Sequence, residues 1–277
     1  MKIGASYWMF EGGLEAKKPI AEAMQEAKDL GFDSIELAIA SEGVLTHETT
    51  EQECKDIVAT AEKIGIEISS VASGESWGCS PTSNDPAERE KIVEFTKKAL
   101  QVTKWLGTDA YLFVPGAVHV FFLPEGDVIP YDIAYDRAKE VVAKLVPTAE
   151  QVGVTIAIEN VWNKFLLSPL EMRDFIDSFD SNRVGCYFDV GNVLLTGYPD
   201  QWIKILGDRI ARVHIKDYKM VGTAEGFVDM CEGDVDFESV KKALGEIGYD
   251  SYLTAEMLPY EPGRPEKTAD AMKKLFK

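Results

Sequence analysis

Eight times along this chain a short apolar run, often β-branched, is followed by a helix-length stretch, and that rhythm limits the fold more than any other feature. The runs lie at 3–8, 34–39, 66–72, 109–114, 154–159, 184–189, 210–214 and 252–256. Helical stretches follow at 19–30, 48–63, 85–106, 134–151, 168–179, 199–206, 236–247 and 267–276. Gly31, Gly65, Gly107, Gly153 and Gly248 stand where helices stop. Asp85-Pro86 opens a helix with proline where its missing N–H costs nothing, and Ser168-Pro169-Leu170-Glu171 has the spacing of a capping box. Such alternation implies parallel strands with helices outside them. Eight units in 277 residues predict a closed (β/α)8 barrel, a single domain over 1–277, rather than an open doubly wound sheet. No Gly-x-Gly-x-x-Gly follows the first strand, which argues against a dinucleotide site.

Charge narrows the partners. A net charge of −18 repels phosphate backbones and anionic membrane surfaces, so neither nucleic acid nor a membrane is expected. It says little about a small substrate, because a basic pocket can survive on an acidic body. The four cysteines, Cys54, Cys79, Cys186 and Cys231, form no Cys-x-x-Cys pair and read as reduced thiols. Met1 to Trp8 lacks the basic-then-apolar layout of a signal peptide, and no apolar run is long enough to span a bilayer. A cytoplasmic protein is the expectation, with a homo-oligomer left open.

The chemistry lies at the ends of the last four strands. Thr155-Ile156-Ala157-Ile158 runs into Glu159-Asn160. Val184 to Phe188 runs into Asp189, Ile210 to Val213 into His214, and Tyr252 to Ala255 into Glu256. Taken singly, each is a solvated strand tip or a satisfied core histidine. Reactive groups of such a barrel gather at the carboxyl ends of its strands, so four in succession should converge. Three carboxylates and one imidazole form a hard site for one divalent ion. Mn²⁺ is the first choice, Mg²⁺ or Co²⁺ suits equally in kind, and Zn²⁺ is the alternative.

The chain resembles the xylose isomerase-like TIM-barrel superfamily, and within it the metal-dependent ketose 3-epimerases and sugar-phosphate epimerases. The resemblance rests on Ile158-Glu159-Asn160, Phe188-Asp189-Val190-Gly191-Asn192, Val213-His214-Ile215-Lys216-Asp217, Glu232-Gly233-Asp234-Val235-Asp236-Phe237 and Ala255-Glu256-Met257, in that order. It implies a metal held by Glu159, Asp189, His214 and Glu256. It also implies that Glu159 and Glu256 act as an acid/base pair, epimerising C3 of a ketose or ketose phosphate through an enediolate. Aldose–ketose isomerisation and inosose dehydration need the same ligands and stay open. An abasic-site endonuclease on the same barrel would need three zinc ions and more histidine than the three present.

Substrate contacts are expected from Trp8, Glu36, Trp162, Asn192, Lys216 and Arg264. Glu36 ends strand two, where relatives bind sugar hydroxyls. Trp8, Trp77 and Trp162 could wall a sugar's carbon face or simply pack. Asn192 stands where many relatives have a substrate-touching His. Lys216 and Asp217 are either a surface ion pair or support for the site. Arg264 follows strand eight, where barrels often hold phosphate, and is otherwise a solvated arginine. His119 is a lid residue or exposed. Relatives often carry Gly where Cys231 stands.

Overall fold

The computed structural model describes residues 1–123 and 125–277. Eight strands, β1 (Lys2–Ser6), β2 (Ser34–Ala38), β3 (Glu67–Ala72), β4 (Ala110–Phe113), β5 (Thr155–Glu159), β6 (Val184–Asp189), β7 (Ile210–Ile215) and β8 (Tyr252–Ala255), close into one barrel in chain order. All neighbours are parallel, and β8 returns to β1 through pairs from Lys2–Tyr252 to Ala5–Ala255. The helices of eight or more residues are α1 (Ile20–Asp29), α2 (Glu51–Ile64), α3 (Pro86–Trp105), α4 (Tyr131–Val152), α5 (Pro169–Asp177), α6 (Pro199–Leu206), α7 (Phe237–Glu246) and α8 (Arg264–Phe276). One follows each strand, so this is the (β/α)8 barrel that the alternation predicts. No helix among the described residues is long and apolar enough to cross a membrane.

Strands covered on both faces need continuous apolar runs, and all residues of β2 and β6 are indeed buried. The main core lies between strands and helices. A smaller cluster of Ala72, Leu112, Val114, Ala157 and Tyr187 fills the bore, with Trp8 and Trp77 packed on it. Caps set the helix ends. Thr50 makes a reciprocal box with Glu53 at α2. At α5 the box is half closed: Ser168 Oγ accepts the Glu171 N–H at 3.2 Å, but the Glu171 carboxylate takes the Leu167 N–H at 2.9 Å.

Several ends differ from the sequence expectation. β1 stops at Ser6 rather than Trp8, because Ser6 Oγ accepts the Trp8 N–H at 3.4 Å and the chain turns. α4 starts at Tyr131 rather than 134, directly after Pro130, and α8 starts at Arg264 rather than 267, with Pro265 preset for its first turn. β2 runs on to Ala38, so Glu36 lies in its middle and not at its end. A two-stranded antiparallel ribbon, Asp217–Tyr218 against Phe227–Val228, sits in the loop after β7 and is absent from the expectation.

Candidate metal centre

Glu159 and Asp189 are the last residues of β5 and β6; Glu256 directly follows β8, and His214 is one short of the end of β7. Side chains alternate along a strand, so residues in register at one rim meet at one depth. One ligand atom from each of the four lies within 4.8 Å of the others, and all four residues are buried. His214 Nδ1 is 3.5 Å from a Glu159 oxygen, 3.7 Å from a Glu256 oxygen and 3.9 Å from Asp189 Oδ2.

Whether an ion fits can be judged from what is left unpaired. Asp189 Oδ2 and His214 Nδ1 are buried and have no hydrogen-bond partner. Buried polar atoms are rarely orphaned, and two facing each other among carboxylates are what a divalent cation would satisfy. The donor set of three carboxylates and one imidazole fits Mn²⁺, Mg²⁺ or Co²⁺ chemistry.

The histidine is aimed from behind. Glu36, fully buried in β2, meets His214 Nε2 at 3.0 Å. Its other oxygen accepts hydrogen bonds from the Ser70 hydroxyl at 3.0 Å and from Tyr187. A carboxylate that takes the Nε2–H leaves the Nδ1 lone pair facing the ligand cluster. Burial alone would raise the Glu36 carboxyl; the charge of His214 and hydrogen bonds from His214, Tyr187 and Ser70 outweigh it and hold it below the ordinary carboxylate range. Glu36 therefore lies beneath the site, with both oxygens taken by protein, and not at the mouth where a sugar hydroxyl was expected to meet it.

Burial disfavours charge in the ligands too. It pushes the Glu159 carboxyl up; the nearby His214 opposes this and the charge of Glu256 adds to it. Asp189 is raised by burial against the pull of Lys216. Burial would favour a neutral His214, but Glu36 and Glu256 outweigh it, so an ion placed at Nδ1 would have to compete with a proton there.

Lys216 is neither exposed nor paired with Asp217. Its Nζ lies 3.1 Å from Asp189 Oδ2, without hydrogen-bond alignment, and contacts Glu256. Gly191 makes room for it: a Cβ there would fall 2.5 Å from Lys216 Cγ. Asp217 instead collects the N–H groups of Tyr218 at 2.9 Å, Gly233 at 2.9 Å and Val235 at 3.2 Å, fastening the ribbon beside the site. A Cβ on Gly233 would lie 2.2 Å from Asp217 Oδ1, which is why that position needs glycine.

The remaining expected residues are scattered over two jobs. Asn192 braces the rim: its N–H donates to Asp189 Oδ1 at 2.8 Å and its amide to the Asn160 carbonyl at 3.0 Å. Asn160, which carried no role in the sequence reading, clamps β6 by exchanging two hydrogen bonds with the Asp189 backbone. Trp162 donates to the Asn192 carbonyl at 3.0 Å, so its indole is fixed. Trp162, Lys216, Asn192 and Arg264 line one cavity of about 190 Å³, walled by Phe121, Phe122, Phe227 and Met257. Trp8 is half-buried on the bore cluster and is not part of that lining. His119 lines an adjoining apolar groove of about 520 Å³. Arg264 is paired with Asp229 at 2.8 Å and Glu261 at 3.0 Å, not solvated. Cys231 has a φ of 70°, a left-handed conformation that glycine adopts without strain.

Known proteins match this picture. A family model described as xylose isomerase-like TIM barrel matches residues 24–277. The uncharacterized protein MJ1311 of Methanocaldococcus jannaschii is 24% identical over 260 residues, covering 92% of this chain and 83% of its own. L-ribulose-5-phosphate 3-epimerase UlaE of Escherichia coli is 24% identical over 260 residues, covering 90% and 86%. The solved structure of a D-tagatose 3-epimerase-like protein superposes with a TM-score of 0.79 at 21% identity, covering 99% of this chain and 97% of that one.

Proposed function

From the premise that this chain belongs to the xylose isomerase-like TIM barrel family, we propose that it is a divalent-metal-dependent epimerase acting at C3 of a keto-sugar. One observation carries the reading: two buried glutamates, Glu159 and Glu256, flank the unpaired Nδ1 of His214 within a cluster that could hold a single ion. Similarity to sugar epimerases supports the reaction class.

A divalent cation held by Glu159, Asp189, His214 and Glu256 would polarise the C2 carbonyl and make the C3 proton removable. The rest falls to the chain. Glu159 and Glu256 come from β5 and β8, so they can address opposite faces of a sugar, one removing the C3 proton and the other returning one. Asp189 and His214 serve as ligands only. Glu36 fixes the imidazole, and Asn160 and Asn192 fix the end of β6. Trp162 offers an apolar wall and Lys216 a cation beside the reacting oxygens. Among the described residues this is the one group of three or more metal-capable side chains, which favours a single-ion enzyme over a three-zinc nuclease.

The test is hydrogen exchange at C3. A panel of pentuloses and hexuloses, free and phosphorylated, is incubated in deuterium oxide with Mn²⁺. Exchange that disappears in Glu159→Gln is the expected result; no exchange at C3 with any ketose would overturn the proposal.

A further inference from the structure

We infer that this site takes an unphosphorylated keto-sugar and that Asp229 is the residue that excludes the phosphate ester; the inference rests on the epimerase reading above and names its substrate class. A (β/α)8 barrel commonly holds phosphate with the loops after its last strands and a helix N-terminus there. In this chain each of those devices is disarmed.

The guanidinium is the first. Arg264 is the cation that lines the cavity from the β8 side. Its Nε donates to Asp229 Oδ1 at 2.8 Å, one terminal nitrogen to the Pro259 carbonyl at 2.6 Å, and the other meets Glu261 at 3.0 Å. Lys267 also reaches Asp229, at 3.3 Å. A phosphate would have to displace one of these three partners, one on each guanidinium nitrogen, to find a free donor. The helix end is the second. At the start of α8 the Arg264 N–H is bonded to the Glu261 carbonyl at 3.0 Å, Pro265 has no N–H, and Glu266 adds a carboxylate to the first turn. A helix start that binds anions needs free N–H groups and no neighbouring negative charge. The wall is the third. The only other cation among the described lining residues, Lys216, is engaged with Asp189 and Glu256. What faces the substrate is Phe121, Phe122, Trp162, Phe227, Met257 and Leu258. Such a surface suits the carbon skeleton of a neutral sugar, and a phosphate dianion there would be desolvated with no partner.

The test uses the full chain loaded with Mn²⁺. Calorimetry compares a pentulose with its 5-phosphate, and thermal unfolding is followed with and without inorganic phosphate. The free sugar should bind about 10-fold or more tightly than its ester, and inorganic phosphate should leave wild-type unfolding unchanged. Asp229→Asn, or Glu261→Gln should the first not fold, releases Arg264. It should tighten the ester by about 10-fold, let inorganic phosphate raise the unfolding temperature, and leave the free sugar as before. An ester that binds the wild type as well as the free sugar, or phosphate stabilisation of the wild type, overturns the inference. So does a silent result from both variants. Absent C3 exchange with either sugar would count against the epimerase reading alone, because these binding comparisons do not depend on turnover.

Discussion

The two ends of the barrel both gather acidic residues, and only one end leaves them without enough positive charge. At the floor, a cavity of about 650 Å³ is lined by Asp109, Asp177, Asp180, Asp208, Arg209 and Arg212. It is more than three times the roughly 190 Å³ cavity beside the ligands. Yet Asp177 is held bidentately by Arg209 at 2.6 and 2.9 Å, Asp109 pairs with Arg212, and the Asp109, Asp177 and Asp208 side chains are 46–97% exposed. Water and arginine satisfy them. At the mouth, Glu159, Asp189 and Glu256 are at most 7% exposed, and one lysine reaches only the last two. The difference teaches that room does not locate chemistry; unsatisfied buried charge does.

That contrast can be broken most forcefully at the mouth. Glu159→Gln should lower C3 exchange by about 10²–10⁴-fold with unfolding temperature little changed. Removal of divalent cations with a chelator should abolish exchange and Mn²⁺ should restore it; a chelated protein with full activity ends the case for the mouth. Glu36→Gln should weaken Mn²⁺ binding by about 10–100-fold in a calorimetric titration, since it frees the imidazole to turn. Lys216→Met should destabilise the metal-free protein by about 3 kcal/mol in denaturant unfolding, and by clearly less with saturating Mn²⁺, because the ion supplies the positive charge the lysine gave. Cys231→Gly should stabilise by about 1 kcal/mol by relieving the left-handed backbone beside the ribbon. Arg209→Gln at the floor should cost only about 0.5 kcal/mol and leave exchange untouched. A large loss there would erase the distinction between the ends.

What the sequence made legible follows from how far its signals reach. Glu159, Asp189, His214 and Glu256 each close an apolar run, so strand periodicity alone aims them at one rim. Asp85 and Ser168 announce helix starts within a few residues. Glu36 carried no comparable mark: its partners Ser70, Tyr187 and His214 lie on three other strands, and only closure of the barrel brings them near. Lys216 and Asp217 look like a surface pair because adjacent opposite charges usually are one. The strand sends them to different neighbours, one to the ligands and one to the ribbon. The ribbon itself has two residues per strand, too few for alternation to register. Arg264 was legible as a cation near the site, but the acids that quench it lie at 229 and 261, and its engagement depends on the turn between Pro259 and Gly263.

All four candidate ligands, Glu159, Asp189, His214 and Glu256, belong to the second half of the chain, as if that half could build the centre by itself. The bond from Glu36 to His214 spans 178 positions of sequence and says otherwise. A polypeptide cut between the halves would deliver an imidazole free to spin, and ion capture would then wait on reunion with the other fragment. The earlier-made portion thus acts as a jig for the later one, and loading of an ion there would be a sign that the whole ring has shut.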